Sequence, residues 1–163
     1  GDMISAVTVP IPEDMTGGQL YELLAQKGAE LLVQTMDDIE SGKTVRTPQN
    51  EAEASYYPPL SKELGRIDWN KPAGEIRNLI RALNPVPGTF GQICGYTIKI
   101  WAAELVERQG EPGKIDCADT KRGLVIGTGD GMLRITEMQA PNSKRMSPKA
   151  YLCGCTMPGE KFE

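Results

Sequence analysis

Hydrophobic residues along this chain follow two periods, and the change from one to the other organises it. Over residues 17–40, Leu20, Leu23, Leu24, Leu31, Leu32, Met36 and Ile39 share one side of a helical repeat. That spacing predicts a long amphipathic helix with those residues buried, capped by Thr16 and stopped by Gly42. Residues 4–11, rich in β-formers and closed by Pro10 and Pro12, predict a strand before it. A second stripe, Ile76, Leu79, Ile80 and Leu83, predicts a shorter helix. Asn70 is its expected cap, Pro72 lies in its first turn, and Asn84-Pro85 ends it. After residue 88 the period becomes two. Residues 89–94 and 96–106 predict a hairpin around Gly95, with Ile98 and Ile100 facing away from Lys99 and Trp101. Residues 114–118, 124–128 and 132–138 predict three more strands, and Ser147-Pro148 opens a last short helix. The fold expected is mainly β with flanking helices: an OB-like Greek-key barrel preceded by a strand and a long helix.

Residues 45–59 interrupt both periods. Small, acidic and proline residues, ending Tyr56-Tyr57-Pro58-Pro59, predict an extended linker with the tyrosines packed on a neighbouring domain. The glycine-rich Gly127-Thr128-Gly129-Asp130-Gly131 precedes an alternating segment rather than a helix. It therefore predicts a tight hairpin with positive φ at Gly129 or Gly131, not a phosphate-cradling loop.

Charge separates the same regions. Residues 1–44 carry eight acids and two bases, whereas residues 45–163 carry fourteen acids and sixteen bases. An overall charge of −4 thus conceals a mildly basic module that keeps a polyanionic partner open. The densest cations, Lys62, Arg66, Lys71, Arg77 and Arg81, run through the second helix and its approach, and Lys144-Arg145 follows in a later loop. A solvated helix face and a nucleic-acid contact both fit that distribution. Lys121-Arg122 reads as solvent-facing charge. The four cysteines, without a secretory signal, predict free thiols in a reducing cytoplasm. Cys153-Gly154-Cys155 has no histidine to join it, because the chain contains none, so no metal site is expected. No apolar run is long enough to span a membrane.

One stretch carries a resemblance. The L-S-K of Leu60-Ser61-Lys62, the R-I-D-W of residues 66–69, the helix ending Arg81-Ala82-Leu83-Asn84-Pro85 and the later Pro87-Gly88 are similar to the opening of the C-terminal domain of methionyl-tRNA formyltransferases. The likeness continues through residues 97–107, the Gly110–Gly113 turn, the segment from Gly127 and the late Lys144-Arg145-Met146-Ser147. Upstream, residues 1–3 and 8–32 resemble the last strand and helix of that family's catalytic domain. The resemblance implies three parts: residues 1–44 closing a catalytic domain, 45–59 a linker, and 60–163 an OB-like, tRNA-binding domain.

It also implies a division of labour. The family transfers a formyl group from 10-formyltetrahydrofolate to initiator methionyl-tRNA in translation initiation, in the cytoplasm and as a monomer. Its catalytic Asn, His and Asp lie in the N-terminal domain. Of the L-D-T-G-D-M motif that supplies the Asp, only Gly1-Asp2-Met3 is present, and Asp2 is the later acid. The chain is therefore expected to continue upstream, to hold no catalytic residue, to bind no cofactor itself and to be inactive alone. Its expected role is to hold tRNA through Lys62 first, then Arg66, Lys71, Arg77 and Arg81, then Lys144 and Arg145. Two other readings stay open: the C-terminal domain of a sugar-nucleotide formyltransferase, or a module that only braces the catalytic domain.

Overall fold

A computed structural model describes residues 1–163, which divide into two compact units at Pro59/Leu60. The first unit is built on helix α1, Gly17–Glu40. Thr16 closes a capping box on it: the Thr16 hydroxyl accepts from the Gln19 N–H at 3.3 Å, while the Gln19 side chain accepts from the Thr16 N–H at 2.9 Å. Two expectations fail here. The helix buries none of its residues; Leu24, Leu32, Met36 and Ile39 are exposed, and Leu20, Leu23 and Leu31 only half-buried. Residues 4–11 form no strand, and their neighbour Met3 makes only an isolated antiparallel bridge to Thr47. Both follow from one cause. An amphipathic helix and a lone extended segment need a sheet to pack and pair with, and residues 1–59 contain none. Residues 51–53 form a single 3-10 turn, and Tyr56 and Tyr57 are fully exposed rather than packed.

The second unit is mainly β with flanking helices. After a 3-10 turn, Glu63–Gly65, come α2 (Ala73–Ala82), β1 (Thr89–Ile93), β2 (Tyr96–Val106), β3 (Ile115–Asp119), β4 (Gly123–Gly127), β5 (Met132–Gln139) and α3 (Pro148–Leu152). The strands form one antiparallel sheet in the order β1-β2-β5-β4-β3. Cys94 and Gly95, both at positive φ, make the two-residue β1–β2 turn, whose twist suits a hairpin. Long β2 serves two partners by means of register shifts around residue 101. That irregularity corrects the alternation read from sequence: Ile100 and Trp101 are consecutive and both buried.

Strands β1 and β3 are the edges of the sheet, and the end of the chain lies against both. The Ile115 N–H donates to the Glu160 carbonyl at 2.8 Å, the Phe162 N–H to Gly113 at 2.8 Å, and the Glu163 N–H to Gln92 at 2.8 Å. Between these bonds the Phe162 ring, 2% exposed, packs on Trp69 with ring centroids 5.3 Å apart. The strip thus joins the two edges and plugs the gap between them with an aromatic ring. The main core lies inside, where Ile76 and Ile80 of α2 meet Ile98, Ile100, Leu133 and Ile135.

Candidate nucleic-acid interface

The cationic stretch is held rigidly at both ends. At its start, the Ile67 N–H donates to the Phe90 carbonyl at 2.9 Å, adding residue 66 as a parallel bridge beside β1. Ile67 and Trp69 then point into the core while Arg66, Asp68 and Asn70 remain exposed. Asn70 does not cap α2. Its side-chain amide and backbone N–H both donate to Asp68 Oδ1, at 2.9 and 3.0 Å. Those two bonds, with Lys71 nearby, hold the Asp68 carboxyl below its usual range. Similarly, the Glu63 carboxyl is lowered, first by its own backbone N–H, then by the Ser61 hydroxyl and the charge of Lys62.

The cap of α2 comes from 57 residues away. Asp130 Oδ1 accepts from the Ala73 N–H at 2.7 Å, placing a carboxylate at the positive end of the helix. The Gly129 N–H donates to the Lys71 carbonyl at 3.0 Å, and Gln109 Nε2 holds the Asp130 carbonyl at 2.9 Å. Neither Gly129 nor Gly131 has positive φ. At Gly129 the requirement is space, because a Cβ there would collide with the Asn70 carbonyl. The glycine-rich loop is therefore a docking piece for the α2 N-terminus.

The other end of α2 is fixed by a polar and aromatic cluster. Asn84 Nδ2 donates to the Trp101 carbonyl at 2.8 Å, and Arg145 Nη2 donates to Asn84 Oδ1 at 3.3 Å. Arg145 also pairs with Glu137 at 2.7 Å and stacks over the Trp101 ring at 4.5 Å, while Lys99 lies 5.4 Å from the same ring.

The seven cations named from sequence therefore fall into different settings. Lys62 immediately precedes the 3-10 turn, exposed and without an ion pair. Arg66 is exposed in a cleft of about 580 Å³ that it shares with Asp68, Trp69, Lys161 and Glu163. Lys71 reaches Glu75 at only 4.0 Å. Arg77 and Arg81 are half-buried on α2, and Arg81 Nε donates to Asn78 Oδ1 at 2.9 Å. Lys144 is exposed, whereas Arg145 is engaged on three sides. The loop at Lys144-Arg145 thus meets the exit of α2, which sequence separation concealed. Reading the sequence missed Asp130 as the cap and Trp101 as the platform. A carboxylate between two glycines and a tryptophan beside two isoleucines were the signals available.

All four cysteines are free, no group of three or more candidate metal ligands converges, and no helix is long and apolar enough to cross a membrane.

Residues 59–156 match the family described as formyl transferase, C-terminal domain. The chain is 44% identical over 157 residues to a methionyl-tRNA formyltransferase of Agathobacter rectalis, covering 95% of this chain and 50% of that protein. It is 42% identical over 165 residues to one of Carboxydothermus hydrogenoformans, covering 100% and 54%. The chain thus spans about half the length of the curated relatives it matches. Among solved structures, HypX of Aquifex aeolicus in complex with tetrahydrofolic acid has a TM-score of 0.68 at 24% identity, over 93% of this chain and 27% of that one. The Helicobacter canadensis N-formyltransferase, solved with folinic acid and dTDP-3-aminofucose, has a TM-score of 0.60 at 21% identity, over 86% and 49%. These two likenesses concern the fold.

Proposed function

The chain belongs to the formyl transferase C-terminal domain family, and on that premise we propose that it is the tRNA-holding part of a methionyl-tRNA formyltransferase. Alignment over 95% and 100% of the chain with proteins of that name, at 44% and 42% identity, carries the reading. The whole enzyme would transfer a formyl group from 10-formyltetrahydrofolate to the amino group of initiator methionyl-tRNA. The chain described here would contribute no catalytic group and would turn over no substrate alone.

In this reading residues 60–163 orient the RNA by its phosphates, while base and shape contacts elsewhere discriminate. The ion-pair pattern supports the choice of residues. Lys62, Arg66, Arg77 and Lys144 make no ion pair, whereas Arg108, Lys114, Arg122 and Lys161 are each paired with a carboxylate. An unpaired cation meets a phosphate without first leaving a carboxylate. Lys71, just before α2, and Arg81, in its last turn, contribute more weakly. Arg145 serves chiefly to brace the α2 exit.

The test is Lys62→Ala in the full-length enzyme. Losing one phosphate contact should raise KM for tRNA and reduce the slope of log K against log salt by about 0.7 to 0.9. KM for the folate donor should stay unchanged. A bracing role predicts instead a lower Tm with the tRNA KM and the salt slope at wild-type values, and that result would overturn the assignment.

A further inference from the structure

A second concentration of positive charge lies on the sheet face turned away from the main core. Strand alternation sends Leu124, Ile126, Leu133 and Ile135 to the core, and Val125, Met132 and Cys117 to a separate small cluster with Val106. Pairing aligns Glu104, Arg134, Val125 and Cys117 in one row across β2, β5, β4 and β3. Over this row is a groove of about 400 Å³. Its floor is Val106, Cys117 and Val125; its rim is Arg108, Lys121, Arg122, Arg134 and Lys149, with Asp116 the one acid lining it.

Five of the chain's eighteen basic residues thus surround one groove in a protein of net charge −4. Neighbouring acids offset part of this. Arg108 pairs with Asp116, Arg122 with Asp119 at 2.8 Å, and Arg134 with Glu104 at a long 3.9 Å. Lys121 and Lys149 have no ion pair, and the Lys149 stem lies over Gly123, which brings α3 to the β3–β4 turn. Counting Glu104 and Asp119 with the lining residues, five cations face three acids, and the positive excess remains.

We propose that this groove is a second RNA contact, taking phosphodiester groups of the backbone along its basic rim. The inference rests on the reading of this chain as an RNA holder. Two features favour an extended polyanion over a single small anion. The cations come from four separate segments, and β3 and β5 are two strand spacings, roughly 10 Å, apart. The apolar floor supplies no hydrogen bonds, so affinity comes from the rim and is insensitive to base sequence.

Binding of the 163-residue chain to an unmodified initiator tRNA transcript and to a twelve-nucleotide oligouridylate tests this, with inorganic phosphate and poly-glutamate as competitors. Lys121→Ala/Lys149→Ala removes the two unpaired cations and leaves no carboxylate unpaired. The expected result is a salt slope for tRNA lower by about 1.4 to 1.8, so that affinity falls about seven- to twelve-fold less than wild type between 50 and 200 mM salt. Lys121→Arg/Lys149→Arg should restore the slope, and the urea midpoint should be unchanged in both. A wild-type slope in the alanine variant, with Lys62→Ala still reducing it, overturns the groove and leaves the RNA-holding reading intact. A wild-type chain whose tRNA binding is insensitive to salt overturns both. Competition by inorganic phosphate or poly-glutamate equal to that of RNA, charge for charge, also overturns the proposal.

Discussion

Phe162→Ala measures how far the end of the chain closes the sheet. Phe162 is 2% exposed, rests on Trp69, and lies so close to Gly91 that a Cβ there would come within 2.7 Å of its ring. Truncation removes about 1.5–3 kcal/mol of transfer free energy and an aromatic contact of about 0.5–1.5 kcal/mol. The cavity opens in a strip held to the sheet edges by single hydrogen bonds, where backbone collapses more readily than in a central strand, so the lower part of the usual range for buried phenylalanine applies. The expected loss is about 3 kcal/mol. Fraying of the strip would add exposure of the Ile115, Phe162 and Glu163 hydrogen bonds to water. Urea unfolding followed by tryptophan fluorescence suits the measurement, because both tryptophans, Trp69 and Trp101, lie in the second unit. The midpoint should fall strongly, and Phe162→Leu should lose less. A loss below about 1 kcal/mol, with unchanged Trp69 emission in the native state, would refute the closure argument.

Other expectations follow from the α2 supports. Asp130→Ala should cost about 0.5–2 kcal/mol by removing the distant cap, and Asp130→Asn should restore much of it in the same urea titration. Gly129→Ala forces a methyl group against the Asn70 carbonyl and should cost about 1–3 kcal/mol. Gly28→Ala, in open space within α1, should instead raise helicity by far-UV circular dichroism, with a gain of about 0.5–1 kcal/mol. The Asp68 carboxyl, lowered by Asn70, stabilises the fold above the ordinary carboxylate pKa, and that contribution is lost as pH falls through its lowered native value. Asn70→Ala should therefore raise the Asp68 titration midpoint seen by NMR, and its stability deficit should vanish at low pH.

Periodicity placed the five strands of the second unit and the helices α1 and α2, and Ser147-Pro148 placed α3, because alternation and turn chemistry are local properties of each segment. The strand expected over residues 4–11 needed a partner and did not form. The Thr16 capping box and the Asn84-Pro85 stop are equally local, decided within four residues. The family was legible for a similar reason: its motifs are short contiguous strings between residues 60 and 90. Tertiary structure decided what depends on distant partners. Asn70 is as good a cap in isolation as Asp130, but Asp68 takes its amide and the glycine-rich loop delivers the aspartate instead. Trp101 obeys strict alternation on paper, yet the irregular register of β2 turns it inward. The stripe on α1 promises burial that residues 1–59 have no surface to provide. Lys121, Arg122, Arg134 and Lys149 are scattered over 29 positions of sequence. They face one groove because sheet order, not chain order, sets which side chains are neighbours.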